Sequence, residues 1–195
     1  MRRSILAALL ITILLLLPAC SGRGDASAVE ALRESVQDAA VGVTAEVTVL
    51  GTDTAETYTY DYTETEQGGA MTVTAPELLA GVTARIEAGE TALEYDGVLL
   101  PAPLGEPRRA PLTAVRQILN ALRTGHLDAV WREGDAIVAQ LIPEDDTALR
   151  LYLDASGTPM FAEIILNDTA ALHCTLTQWR TERGTSHESN DPNLG

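Results

Sequence analysis

The chain has 195 residues, with 13 basic against 28 acidic side chains, a formal net charge of −15 and a pI near 4.4. Every basic residue is arginine, and lysine is absent from the sequence. Such a surface excludes a nucleic-acid partner, whose phosphates require a basic patch, and disfavours adsorption of the domain itself onto anionic lipid.

Arg2 and Arg3 lead into an apolar run from Ile5 to Leu17, interrupted only by Thr12, which ends Leu17-Pro18-Ala19-Cys20. A charged start and a short apolar middle read as an export signal. The run is too short to span a bilayer, which takes about 20 apolar residues. Its ending resembles a bacterial lipobox. That resemblance implies that Cys20 receives a diacylglycerol and becomes the mature N-terminus, anchoring the chain to the outer face of the cell membrane or the periplasmic face of an envelope membrane. Stable anchoring generally takes two hydrophobic attachments, and the two acyl chains supply them. Removing the first 19 of 195 residues leaves 176; losing Arg2 and Arg3 leaves 11 basic residues against 28 acids, a net −17. With Cys20 lipidated, Cys174 has no intramolecular partner. It lies in the apolar-rich stretch Leu172 to Leu176, where a buried, inert thiol is expected.

Ser21 to Asp25 reads as a tether. Val29, Leu32 and Val36 then fall at helical spacing, predicting an amphipathic helix from Ser27 to Ala39 with Ser27 as N-cap and Glu30 as its capping-box partner. From Val43 the period becomes two. Val43, Ala45, Val47 and Val49 mark one strand, Tyr58, Tyr60 and Tyr62 the next, then Met71, Val73 and Ala75 after the Gly68-Gly69 turn. Val82 to Ile86, Ala92 to Tyr95 and Val98 to Leu100 follow, the last two joined at Asp96-Gly97, a strong hairpin signal.

Pro101 to Pro111 carries four prolines and the pair Arg108-Arg109, so it reads as an extended loop and not a central strand. A second helix is expected from Thr113, its cap, to Gly125, its stop, with Val115, Ile118, Leu119 and Leu122 on one face. Five more strands close the chain: 127–132, 136–141, 148–153, 159–166 and 170–179, separated by turns of a few residues that favour antiparallel neighbours. A frayed polar tail is expected from Thr181.

The expected fold is therefore α+β: one curved antiparallel sheet of about ten strands, an open half-barrel, with helices covering its concave face. The expected organisation is a signal peptide over 1–19, a lipid-bearing tether over 20–26, one domain over 27–180 and a tail over 181–195. Helix, strand meander, proline-bearing loop, second helix and second meander together resemble the LolA/LolB-like lipoprotein-localisation superfamily. The hairpin Leu93-Glu94-Tyr95-Asp96-Gly97 and the later Leu151-Tyr152-Leu153-Asp154 with Gly157-Thr158-Pro159 add to that resemblance. Ala75 to Gly81 and Pro111 to Gly125 look most like the lipidated GerS-like group of spore-forming Firmicutes. The resemblance implies an apolar groove for a lipid or the acyl chains of a lipidated client, without enzymatic activity or cofactor. Val47, Val49, Met71, Val73, Ile86, Leu93, Ile137, Leu141, Leu151 and Leu153 would line the groove, with the helix carrying Val115, Ile118, Leu119 and Leu122 as its lid. Some carriers use an arginine that points into the groove, and Arg85 is the strand arginine nearest to that role. A second expectation is an anchored interaction protein for an envelope or spore-cortex partner in germination, its groove filled by its own side chains.

No catalytic constellation is visible. His126, His173 and His187 lack metal-ligand spacing, and Glu144-Asp145-Asp146 lacks the surrounding calcium loop, so no metal site is expected. Trp131 and Trp179 read as core or sheet-edge packing.

Overall fold

The computed structural model describes residues 22–51, 55–65, 68–87, 90–101 and 107–183. The expected export signal, Cys20 and the tail beyond Arg183 lie outside them. Helix α1 spans Gly22–Gln37. The first meander is β1 (Ala39–Val49), β2 (Glu56–Thr65), β3 (Gly68–Ala75), β4 (Thr83–Glu87), β5 (Glu90–Tyr95) and β6 (Val98–Pro101). Helix α2 spans Ala114–Thr124, and the second meander is β7 (His126–Glu133), β8 (Ala136–Glu144), β9 (Thr147–Leu153), β10 (Pro159–Leu166) and β11 (Thr169–Arg183).

All eleven strands form one sheet in the order β6-β5-β4-β3-β2-β1-β11-β10-β9-β8-β7. Each neighbouring pair is antiparallel. Nine of the ten pairings join strands consecutive in sequence. The exception is β1 with β11, which fuses the two meanders from Ala39↔Arg183 to Val49↔Leu172. The sheet does not close, so β6 and β7 are its edges. The expected single open antiparallel sheet with helices on one face is the fold found, with eleven strands where about ten were expected.

Period-two patterning explains which face is buried. On β1 the inward set Val41, Val43, Ala45 and Val47 is at most 2% exposed, while Glu46 between them is exposed. The same alternation runs through β9, where Leu149, Leu151 and Leu153 are buried and Arg150 and Tyr152 only partly so. A β-bulge opposite Val43, with Gln178 at φ 52°, re-phases the long β11 so that both of its ends stay paired.

Three local expectations are corrected. Helix α1 begins at Gly22, so residues 22–26 form helix and not tether, and Ser27 sits inside the helix and not at its cap. Asp25 is the reason: its carboxylate, 6% exposed, is held by Arg132 of β7, which draws the preceding turn onto the domain. Thr113 does occupy the position before α2, but its hydroxyl donates to Ala110 O at 2.8 Å and caps no helix N–H. Strand β11 runs on to Arg183, past the expected start of the tail, because β1 pairs with it that far. Within the proline-rich stretch, Pro107–Arg109 and Pro111–Thr113 form short 3₁₀ turns.

Candidate functional site

The site the fold offers is the apolar face of the sheet. Cross-strand register builds it as rows. Leu127, Leu141, Leu149, Ile164, Leu172 and Val49 are successive partners across β7, β8, β9, β10, β11 and β1. A second row, Val43, Tyr62, Met71, Ala84 and Leu93, runs across β1 to β5. Directly opposed apolar pairs of this kind are the unit of sheet packing.

The two halves differ in what lies over them. Helix α2 packs on β8 and β10, and α1 packs on β7 and β1. The expected lid side chains Val115, Ile118, Leu119 and Leu122 are all fully buried. So are Val47, Leu141, Leu151 and Leu153, with Ile137 at 3%; here the sheet and its helices form a close-packed core. Met71, Val73 and Ile86, at 1–4% exposed, stand on β3 and β4, beside the main footprint of the helices, and Val49 and Leu93 are partly buried against the same cluster.

Helix α2 is fastened differently at its two ends. At its C-terminus, Arg33 Nε donates to Leu122 O and Arg33 Nη2 to Gly125 O, each at 2.9 Å. Arg123 Nε donates to Val36 O at 2.9 Å, and its guanidinium pairs with Glu64. These partly buried bonds satisfy carbonyls that a helix end leaves without intrahelical partners. Tyr62 OH donates to the same Glu64 carboxylate; burial first, then that bond, pushes the phenol pKa well up. At the other end, Arg108 pairs with Asp146 at 2.5 Å and Glu144 at 2.6 Å on the β8–β9 turn, all three side chains being exposed. Hydrogen bonding from Arg108 holds the Asp146 carboxyl below its usual range. Tyr60, fully buried, donates from its hydroxyl to Pro111 O at 3.0 Å and ties the turn Pro111–Thr113 to β2. Burial holds that phenol neutral far above its ordinary range. A cleft of about 80 Å³ beside the exposed fastening is lined by Arg108, Gln117, Asn120, Glu144 and Thr147. It has room for a few waters, not for an acyl chain.

Arg85 does not point into the groove. It alternates with the inward Ala84 and Ile86, is 54% exposed, and pairs with Glu94 at 3.0 Å on the outer face. Trp131 is also on the outer face, its ring under the Arg150 guanidinium at 5.9 Å, whereas Trp179 packs against the core. Sequence reading missed the inward tyrosines and the Arg33, Arg123 and Glu64 contacts. The spacing of Tyr58, Tyr60 and Tyr62 puts them on one face but cannot say that Tyr60 and Tyr62 lie under the helical layer. Among the described residues no group of three or more histidines, cysteines and acids could hold a metal ion, and no helix is long and apolar enough to cross a membrane.

No family profile and no curated protein matches the sequence. Solved structures with similar folds exist. An uncharacterized conserved protein from Thermus thermophilus is 12% identical over 82% of this chain and 89% of its own, with TM-score 0.46. A LolA superfamily protein from Nitrosomonas europaea is 11% identical over 78% and 92%, TM-score 0.42. LprF from Mycobacterium bovis is 12% identical over 81% and 93%, TM-score 0.42. Likenesses this remote carry no assignment of family or activity. What the structure defines by itself is a class: an open antiparallel sheet whose apolar face is roofed by two helices.

Proposed function

We propose that the chain is an exported bacterial lipoprotein, anchored by a diacylglycerol on Cys20 in the cell envelope, whose half-barrel takes up an acyl chain of a lipid or of a lipidated client. The observation that carries this reading is that the apolar row continues through Met71, Ala84 and Leu93 beyond the strands on which α1 and α2 mainly pack. Met71 and Ala84 are themselves buried, at 1–2% exposure, and Leu93 at the end of the row is only partly buried, so an acyl chain would enter at Leu93 by displacing the protein's own filling, offset by about 25 cal/mol for each Å² of its apolar surface removed from water. The segments Ala75 to Gly81 and Pro111 to Gly125 support placing the chain beside the GerS-like group. The reading includes no enzymatic step.

The test is native mass spectrometry of the full chain purified from membranes of the cells that make it. The expected spectrum shows a modified Cys20 and a second, dissociable acyl species. Val73→Gln, placed on β3 two residues from Met71, should lose the dissociable species while keeping the modification. A chain carrying only its own lipid, with no dissociable mass, overturns the groove reading. An unmodified Cys20 overturns the anchor.

A second reading is favoured by the close packing of α2 on β8 and β10: the groove is filled by the protein's own side chains, and the molecule is an anchored docking protein for an envelope or spore-cortex partner. A clean mass with a stoichiometric protein partner selects it.

A further inference from the structure

Five large apolar side chains are exposed among the described residues: Leu78 at 90%, Leu79 at 38%, Tyr95 at 56%, Val98 at 57% and Met160 at 40%. The first four share one corner. Leu78 and Leu79 belong to the 3₁₀ turn Glu77–Leu79 between β3 and β4. Tyr95 and Val98 are cross-strand partners flanking the Asp96-Gly97 turn between β5 and β6. Register places the two turns side by side, because Thr83 at the start of β4 pairs with Glu94 at the end of β5. Isolated exposed leucines need no explanation, but a clustered apolar patch with acidic neighbours does.

Two facts select the occupant. The first is charge. Glu77 and Asp96 are exposed within the two turns, and Glu94 beside them is matched by Arg85. The corner is therefore apolar with a net acidic border, in a protein that is itself strongly acidic. That repels a second copy and an anionic bilayer, and complements a basic partner. The second is position. Helix α1 starts at the opposite end of the strands: Asp25 pairs with Arg132, next to the β7–β8 turn. Strand β3 alone has eight residues, a rise of roughly 26 Å from that end to this one. With lipid on Cys20, two residues before α1, the corner faces away from the membrane that holds the anchor. That orientation rests on the lipidation proposed above.

We propose that the corner formed by Leu78, Leu79, Tyr95 and Val98 is a docking site for a protein segment that presents apolar side chains flanked by arginine or lysine. The leucines and the tyrosine supply the buried centre of the contact, and Glu77 and Asp96 its charged border.

The test places benzoylphenylalanine at Leu78 in the full lipidated chain, irradiates the intact cells that make it, and sequences the cross-linked peptides. The expected adduct is one protein, joined at a segment with basic residues beside apolar ones. Its yield should fall about fivefold or more when Glu77→Lys and Asp96→Lys are combined. With the probe moved to Val98, Leu78→Ser with Tyr95→Ser should abolish the adduct. The substituted side chains are exposed, so an unchanged thermal midpoint shows that these variants fold. Adducts with phospholipid, adducts with a second copy, no adduct, or a yield indifferent to charge reversal each overturn the proposal. Fractionation of the same cells reads the anchor separately: a chain found in the soluble fraction defeats the lipidation, not the cross-link map.

Discussion

Asp25 and Arg132 form a two-point ion pair between the first turn of α1 and β7, with Arg132 Nε 3.0 Å from Oδ2 and Nη2 2.5 Å from Oδ1 of the carboxylate. The pair is lopsided in exposure: the Asp25 side chain is 6% exposed and the Arg132 side chain 43%. Removing the arginine strands a carboxylate away from water, whereas removing both groups strands nothing. Arg132→Ala should therefore lower the denaturation midpoint more than the combined Asp25→Ala and Arg132→Ala change. Arg132→Lys should rescue only in part, because an ammonium cannot reproduce the forked geometry. Urea unfolding of the parent and these three variants measures the ordering.

Gly125 and Gly134 are expected to fail for different reasons when changed to alanine. At Gly125 the backbone is ordinary, φ −67°, but a Cβ would sit 2.5 Å from Ala121 O, the acceptor of Gly125's own N–H. The substitution must push apart the end of α2, and amide exchange near Ala121 should accelerate. At Gly134 there is open space but φ is +61°, so Gly134→Ala should cost only the left-handed strain of about 1–2 kcal/mol and leave exchange in α2 unchanged.

Cys174 is fully buried between β1 and β10, and burial pushes its thiol pKa up to about 12. In the unfolded chain the thiol ionises near pH ~8.5. Above that pH the unfolded state has lost a proton that the folded state keeps, so this group's contribution is fully present below about 8.5 and is lost progressively toward about 12. Iodoacetamide at about pH 8.5 should leave Cys174 unlabelled in the folded protein and label it fully in denaturant. Cys174→Ala should remove this part of the alkaline loss of stability.

The Arg108–Asp146 fastening has the opposite sign. Asp146 titrates below its ordinary value because Arg108 bonds to its ionised form. Its contribution is present above about pH 4 and disappears as the pH falls through the lowered value. Because all three side chains are exposed, salt at about 1 M should weaken the fastening too. Amide signals of Thr113 to Gln117 should shift with acid and with salt, while those around Ala121 to Thr124, held by Arg33 and Arg123, should not. Asp146→Asn should remove most of the acid response. A uniform response along α2 would refute an unequal fastening.

Much of the fold was legible because it is local. Hairpin strands such as β8 and β9 announce themselves through alternation and short turns, and α2 through Val115, Ile118, Leu119 and Leu122 recurring on one face. The start of α1 was not legible, since Gly22 to Ala26 has the small, polar composition of a tether and becomes helix only when Asp25 meets Arg132, 107 residues away. What covers each inward residue was not legible for the same reason. Leu151 and Met71 carry identical inward patterning and are equally buried, at 0% and 1%, yet the first stands on β9 between the strands that α2 packs on and the second two strands past β1.

The amino-acid sequence by itself determined the two meanders, the inward face of each strand, the acidic surface and the buried thiol, because each follows from neighbours a few residues apart or from composition. Only the tertiary structure decided that β1 pairs with β11, that Arg85 faces outward, and that Leu78 and Tyr95 share a corner. Those outcomes depend on which distant segments meet once the chain is compact, and periodicity carries no record of the meeting.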